Sequence, residues 1–331
     1  MPSDIARPAH AIADYLPPFS QIKITSGVDR YGFSSVLAKR CGRRVVLRSF
    51  ANWVHGWVWA EEPTAELLAC AKQARNLTMV VCNQVEKKTL MALNFTDVRV
   101  GGLPFAYVER QHMQRHENAL LAFPPHSAEA ERVTTDQAEY LDFLEAIKQD
   151  FESIYLSVYY LDLGGPLHKA ANLRGLQVIQ GARPDDANSL VRTRSMLDSF
   201  KYVTSNVMGS HMLYALFAGC GFSFCGPMYG YDESEFLSGG NPHGHSSDYI
   251  RLALKLQSES YLRDKFAKFF VNHPRDGVGD LGFAVDEIGT KFTLSSMQIE
   301  DALGWNVNGQ FKGYFSGALR RASRGLGDKR R

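Results

Sequence analysis

The hydrophobic pattern alternates short apolar runs with amphipathic stretches over most of the chain. In the first third it predicts an extended segment at Gln21 to Thr25, a helix near Asp29 to Lys39 and a strand at Arg44 to Phe50, followed by a loop from Ala51 to Pro63. A helix at Glu66 to Arg75, a strand at Thr78 to Asn83, a helix at Gln84 to Leu93 and a strand at Val98 to Gly101 come next. The charged stretch Glu109 to Glu117 reads as a linker. The alternation then restarts with a strand at Ala119 to Phe123, ended by Pro124-Pro125-His126-Ser127. A helix from Asp136 to Asp150, a β-rich run at Ile154 to Tyr160, a helix at Pro166 to Arg174 and a strand at Leu176 to Gln180 continue it. Arg183-Pro184-Asp185-Asp186 is a turn, and Asn188 caps a helix running to Phe200. Further helices are expected at Ser247 to Gln257 and Glu259 to Phe270, and Ser295 with Gln298 forms a capping box for a helix ending at Gly304. Strands alternating with helices form parallel sheets covered by helices.

One segment stands out. Tyr202 to Thr204 leads into Ser205-Asn206-Val207-Met208-Gly209-Ser210-His211 and then an apolar helix stopped by Gly219 and Gly221, with a buried strand at Phe222 to Cys225. Ser205 or Asn206 can cap that helix, and Gly209 and Ser210 let a ligand approach its N-terminus, where backbone N–H groups and the helix dipole favour an anion. The plain alternative is a capped core helix.

Length and composition narrow the class. At 331 residues, two domains are expected. Hydrophobic residues at 45% and charged residues at 22% describe an ordinary globular protein. No apolar run approaches a membrane span, and the first thirty residues lack a signal-peptide pattern, so a cytoplasmic location is the expectation. The five cysteines have no CxxC spacing and suggest neither a disulfide framework nor a zinc knuckle.

The net charge of +2 hides a basic tail: Arg320 to Arg331 carries six basic residues and one acid. The body is therefore net negative and has no nucleic-acid footprint. Before the tail, Phe311, Tyr314, Phe315, Ala318 and Leu319 follow helical spacing beside Lys312, Arg320, Arg321 and Arg324. Such a segment suits an anionic inner-membrane surface, or equally a C-terminal helix docked on the body with a solvated tail.

The His55-Gly56-Trp57 loop, the Gly102-Leu103-Pro104-Phe105 end of the first alternating region, the Pro-Pro-His-Ser turn and the Ser205 to Cys220 segment together resemble bacterial glycosyltransferases of the GT-B type that build capsule and lipopolysaccharide O-chains. The resemblance covers most of Ile22 to Trp305, in both expected domains. It implies an α/β fold of two Rossmann-like parallel-sheet domains facing a central cleft, with C-terminal helices. The domains are expected at 1–115 for the acceptor and 116–305 for a nucleotide-sugar donor, with an amphipathic segment and basic tail at 306–331. The implied partners are a nucleotide-sugar and a glycan or lipid-linked glycan acceptor. No cofactor beyond the donor, no metal and no nucleic acid are expected.

Sugar transfer makes demands that particular residues can meet. Charge develops on the leaving phosphate, and fixed donors must be aimed there. The turn Ser205, Asn206, Gly209, Ser210 and His211 supplies them, with His211 protonated or else simply bonded to its loop. His126 and Ser127, at the end of the first strand of that domain, reach the same phosphate or the donor sugar; the alternative for His126 is a turn residue satisfied by backbone. Arg183, Asp185 and Asp186 are candidates for base or ribose, although Asn188 explains the same turn as an N-cap.

An acceptor hydroxyl needs a base, for which His55 and Asp29 are candidates, Asp29 being equally a helix cap. Trp53 and Trp57 are candidates for stacking on acceptor sugar rings, where the alternative is core packing. The pair His243 and His245, near Asp232, Glu233 and Glu235, opens a metal-hydrolase alternative, and the same loop reads equally as a mobile connection or a lid. His273-Pro274 is similar to the His-Pro pair of some bacterial sialyltransferases, but two residues carry no inference. The same architecture also suits a nucleotide-sugar epimerase, which needs no acceptor, or a non-catalytic subunit that binds a glycan or a nucleotide.

Overall fold

The computed structural model describes residues 12–127, 133, 137–237 and 245–315. The chain divides into two compact units: residues 20–107, 184–187 and 288–331 form one, and residues 1–19, 108–183 and 188–287 the other.

The first unit holds a three-stranded parallel sheet, β1 (Ala51–Trp53), β2 (Thr78–Val81) and β3 (Val98–Val100), in the order β1-β2-β3. Val54, Leu68, Met79, Val81, Leu90 and Phe95 pack into its core. The expected strand at Arg44 to Phe50 is displaced onto Ala51–Trp53. Val45 and Val46 are exposed, Arg43 pairs with Glu300, and Phe50 N–H donates to Leu303 O, so this stretch follows a C-terminal helix instead of entering the sheet. The expected helix at Glu66 to Arg75 is a chain of tight turns, because Ala69 adopts φ 51° and breaks the helical path.

The extended segment expected at Gln21 to Thr25 reduces to a single bridge, Gln21 to Asp186. The expected helix at Asp29 to Lys39 is a 3-10 turn (Gly27–Gly32) followed by a helix, Phe33–Arg40. Helix Gln84–Ala92 forms as expected, with the Asn83 side chain accepting from Glu86 N–H. The Ser295–Gln298 capping box and helix Ser296–Leu303 also form, ending at Gly304 with φ 67°. Gly289 explains why the chain returns to this unit: with φ 74°, it lies where a Cβ would come 2.9 Å from Cys82 O. Only glycine allows that approach.

The second unit holds five parallel strands: β4 (His116–Phe123), β5 (Ser153–Val158), β6 (Gln177–Gln180), β7 (Phe200–Ser205) and β8 (Gly221–Phe224). Their order is β6-β5-β4-β7-β8, with Leu120 opposite Ile154 on one side and Tyr202 on the other. Helices Ala138–Ala146, Pro166–Leu173, Ser189–Asp198 and Ser210–Phe217 fill the four connections. Leu120, Tyr140, Leu144, Ile154, Leu156 and Ala171 form the core on one side. Helices Ser247–Gln257 and Glu259–Phe266 follow β8.

The order of chain use fixes where a ligand can enter. β4 is laid down first, β5 and β6 add outward on one side, and then β7 and β8 add on the other. The direction reverses between β4 and β7. In open parallel sheets the diverging loops at such a point leave a crevice beyond the carboxyl ends of the strands. Here those ends are Phe123 and Ser205, which lie directly opposite each other.

Candidate functional site

The crevice at the β4–β7 junction is built from two loops. After β7, Ser205 is fully buried, and its hydroxyl donates to Phe123 O at 2.6 Å and receives Val207 N–H at 3.2 Å. It ties the two strand ends together and does not cap the helix. Asn206 does not cap it either: its Nδ2 donates to Pro227 O at 3.2 Å. The N-cap is Gly209, in extended backbone, and the helix begins at Ser210. Glycine leaves room for the imidazole there, since a Cβ would stand 2.8 Å from His211 Nδ1. First-turn N–H groups of a helix have no acceptor within the helix, which gives this end its anion preference.

His211 stacks on Phe123, with ring centroids 4.9 Å apart. Burial pushes its pKa down to about 3; a charge on the neighbouring His126 adds to this, and a bond to the Val207 backbone opposes it. The ring is therefore neutral near pH 7, which excludes the protonated alternative and leaves the histidine bonded to its own loop. Its Nε2 is buried without a partner, so the bond to the Val207 backbone is made by Nδ1. In that tautomer Nε2 accepts and cannot donate.

After β4, His126 is exposed, stacks on Tyr159 at 4.4 Å and has Nδ1 3.0 Å from Ser127 O. Ser127 is buried: its N–H donates to Asp162 Oδ2 at 2.9 Å, and its hydroxyl accepts Val133 N–H at 3.2 Å. Asp162 thus fixes the β4 loop from the loop after β5. Arg183, in the same unit, sits over the rings of Phe19 and Tyr160 at 4.3 and 5.1 Å. Beyond β8 there is a cavity of about 230 Å³ lined by Cys225, Gly226, Arg263, Phe270 and Asn272, and no expected site residue lines it.

No protein-family model and no curated protein matches the chain. Among solved structures it is similar to TarM, at 11% identity and a TM-score of 0.33, over 81% of this chain and 52% of that one. The chain thus spans about half the length of that neighbour.

Several expected site residues are committed to holding the fold. Asp185 and Asp186 belong to the three-stranded unit, where Asp186 Oδ1 accepts Ser20 N–H at 3.0 Å and Asp185 O accepts Ile22 N–H at 2.9 Å. They hold the entering chain of that unit. Asn188 occupies the N-cap position without capping; its Nδ2 donates to Pro18 O at 2.8 Å. Asp29 Oδ2 receives Thr25 N–H, Thr25 Oγ1–H and Ser26 N–H at 2.8 to 2.9 Å, the geometry of a carboxylate that shapes a turn. Trp53 is 1% exposed; it donates Nε1–H to Gly102 O at 2.9 Å and meets Phe33 and Tyr107 edge-on. Trp57 is buried beside Trp59. Neither tryptophan offers a face to a sugar.

His55 lies near Tyr31, with ring centroids 5.5 Å apart. Burial and the nearby Arg30 charge lower its pKa to about 4, against a bond to the Trp53 backbone. It is neutral at pH 7, the form a base requires, and weakly basic.

His243 lies outside the described residues. The His245 ring stacks on Tyr249 at 4.3 Å, and Glu235 accepts from Tyr229 and from Asp232 N–H. Among the described residues, no group of three His, Cys, Asp or Glu side chains is placed to hold a metal ion. His273 stacks on Phe151, has Nε2 3.3 Å from Asp150 and accepts Arg275 N–H, which accounts for the His-Pro pair structurally.

Sequence reasoning missed Gln257, at the end of helix Ser247–Gln257, whose Nε2 donates to Met208 O at 3.2 Å. It also missed Asp162. Neither stands in a motif; only the chain path brings them to the crevice loops.

Proposed function

We propose that the chain is a glycosyltransferase that takes a sugar from a nucleotide-sugar bound at the β4–β7 crevice and passes it to a surface-glycan acceptor. One observation carries this reading: the extended Gly209, the start of the helix at Ser210 and the buried Asn206 all lie at the strand-order reversal, where α/β sheets receive phosphorylated ligands. As the glycosidic bond breaks, negative charge grows on the leaving phosphate. The dipole and N–H groups of the helix N-terminus stabilise it without reorganising. In this reading His55 serves the acceptor hydroxyl as base. With a pKa near 4 it would contribute modestly, and most of the acceleration would come from stabilising the leaving group.

The C-terminal segment supports delivery to an anionic inner-membrane surface. Residues 307–315 are helical, and Val307, Phe311, Tyr314 and Phe315 are exposed, Phe311 at 72%. Apolar side chains next to a basic tail match an interfacial helix on anionic lipid. No helix among the described residues is long and apolar enough to cross a membrane.

A second reading, a non-catalytic nucleotide- or glycan-binding subunit, is favoured by the commitment of Asp29, Trp53 and Trp57 to structure. Release of free nucleotide from UDP-, GDP-, CMP- and dTDP-sugars, with and without a lipid-linked glycan acceptor, separates the two. Acceptor-dependent release supports the transferase. Binding without turnover in every combination supports the subunit, and sugar isomerisation without acceptor would indicate an epimerase.

A further inference from the structure

Three side chains attached to the turn between β7 and the Ser210 helix each leave one buried polar atom without a partner: Asn206 Oδ1, His211 Nε2 and Gln257 Oε1. Asn206 is 2% exposed. The chemical type of each atom is set by the bond made at the other end of its side chain. Asn206 uses Nδ2 on Pro227 O, and Gln257 uses Nε2 on Met208 O, so both amides leave their carbonyl oxygen over. His211 uses its N–H on the Val207 backbone and leaves the bare Nε2. All three leftover atoms are therefore hydrogen-bond acceptors. An unsatisfied buried acceptor is costly, and three tied to one turn at a ligand crevice call for a donor-bearing occupant.

Phosphate does not fit them, because a phosphate at neutral pH is itself an acceptor. Hydroxyl groups fit. We propose that Asn206, His211 and Gln257 form an acceptor-only pocket that binds sugar hydroxyls of the ligand, and that the backbone at Gly209–Ser210 takes the adjoining phosphate. The inference rests on the nucleotide-sugar reading for the phosphate, while the hydroxyl pocket stands on the three acceptors alone. It divides the turn into two chemistries: main-chain donors for the anion and side-chain acceptors for the ring hydroxyls. The hydroxyls can come from the ribose or from the transferred sugar.

The test is calorimetric titration of the full chain and of His211→Phe and Gln257→Met with inorganic pyrophosphate, UDP, GDP, CMP, dTDP, 2′-deoxy-UDP and UDP-glucose. Phenylalanine keeps the stack on Phe123, and methionine keeps the length of Gln257. The expected result is a nucleotide bound more tightly than pyrophosphate by the natural chain. Each variant should weaken that nucleotide, or UDP-glucose alone, about tenfold while leaving pyrophosphate unchanged. If 2′-deoxy-UDP shows the same deficit as the variants, the ribose supplies the hydroxyls; a deficit confined to UDP-glucose names the transferred sugar.

Variants that bind both the nucleotides and UDP-glucose like the natural chain would overturn the pocket, and so would variants that lose pyrophosphate in equal proportion. Should the natural chain bind no phosphorylated probe, the nucleotide reading fails, and ribose and methyl glucoside then decide the pocket. Binding of either that is lost in His211→Phe upholds it, and no binding overturns it.

Discussion

The imidazole of His211 lies on the ring of Phe123 with planes 12° from parallel. Phe123 is the last residue of β4, and His211 is the second residue of the helix after β7. The stack therefore joins the two loops that diverge at the strand-order reversal. The stack fixes the orientation of the imidazole, and burial keeps it neutral, so it does not act as a phosphate-binding cation.

Gly209→Ala places a methyl group 2.8 Å from His211 Nδ1 without straining the extended backbone at that position. The ring must move off Phe123. Nucleotide affinity should fall about tenfold or more, with little change in the unfolding midpoint. Titration calorimetry beside a denaturant curve checks both. An unchanged affinity would remove the turn from the site.

Acid should destabilise the second unit through His211 and the first through His55. Both have folded pKa values, about 3 and about 4, below the ordinary 6.5. The unfolded chain therefore takes up protons first as pH falls below about 6.5, and stability declines until the folded pKa values are reached. The loss is on the order of a few kcal/mol for each histidine. Thermal unfolding between pH 7 and pH 4.5 should show a fall that is shallower in His211→Phe and in His55→Phe. Equal slopes in all three chains would contradict the assignment.

Trp53→Ala should cost about 3 to 5 kcal/mol of stability, as large aromatic truncations in cores do. Its ring is enclosed by Phe33 and Tyr107, and its N–H is spent on Gly102. The milder Trp53→Phe should leave the KM for acceptor unchanged. A raised acceptor KM with normal stability would restore the sugar-stacking role.

Asp198 and Arg194 form a buried pair at 3.0 Å, and Asp198 also accepts Gln111 N–H at 2.8 Å. Asp198→Asn removes the carboxylate charge from this buried pair, and a loss of about 3 to 5 kcal/mol is expected. Urea unfolding measures it. A change under about 1 kcal/mol would mean the pair is solvated in solution.

The second unit was far more legible in the sequence than the first. Its central strands carry continuous buried apolar runs such as Ala119 to Ala122, and helices follow the first four strands. In the first unit the strands are short. Val45 and Val46 mimic a strand, while the sheet takes Ala51–Trp53, a short strand buried at Ala51 and Trp53. Pattern also located the Ser205 to His211 turn as a candidate site.

Side-chain commitments lay beyond its reach. That Asp186 binds Ser20 N–H, and that Asn188 binds Pro18 O, depends on partners more than 160 residues away, with separations of 166 and 170. No local spacing encodes them. The acceptor character of His211 was hidden for a related reason: the tautomer is set by one backbone carbonyl, and burial decides the charge.

Hydrogen exchange across the whole chain, with and without saturating UDP, GDP, CMP and dTDP, tests the donor site most directly. A nucleotide bound as proposed slows exchange at 205–212 and at 121–127, the two loops joined by His211 and Phe123. Protection confined to other segments, such as 225–226 and 263–272 around the separate cavity, or no protection by any of the four, would contradict a donor site at the β4–β7 crevice.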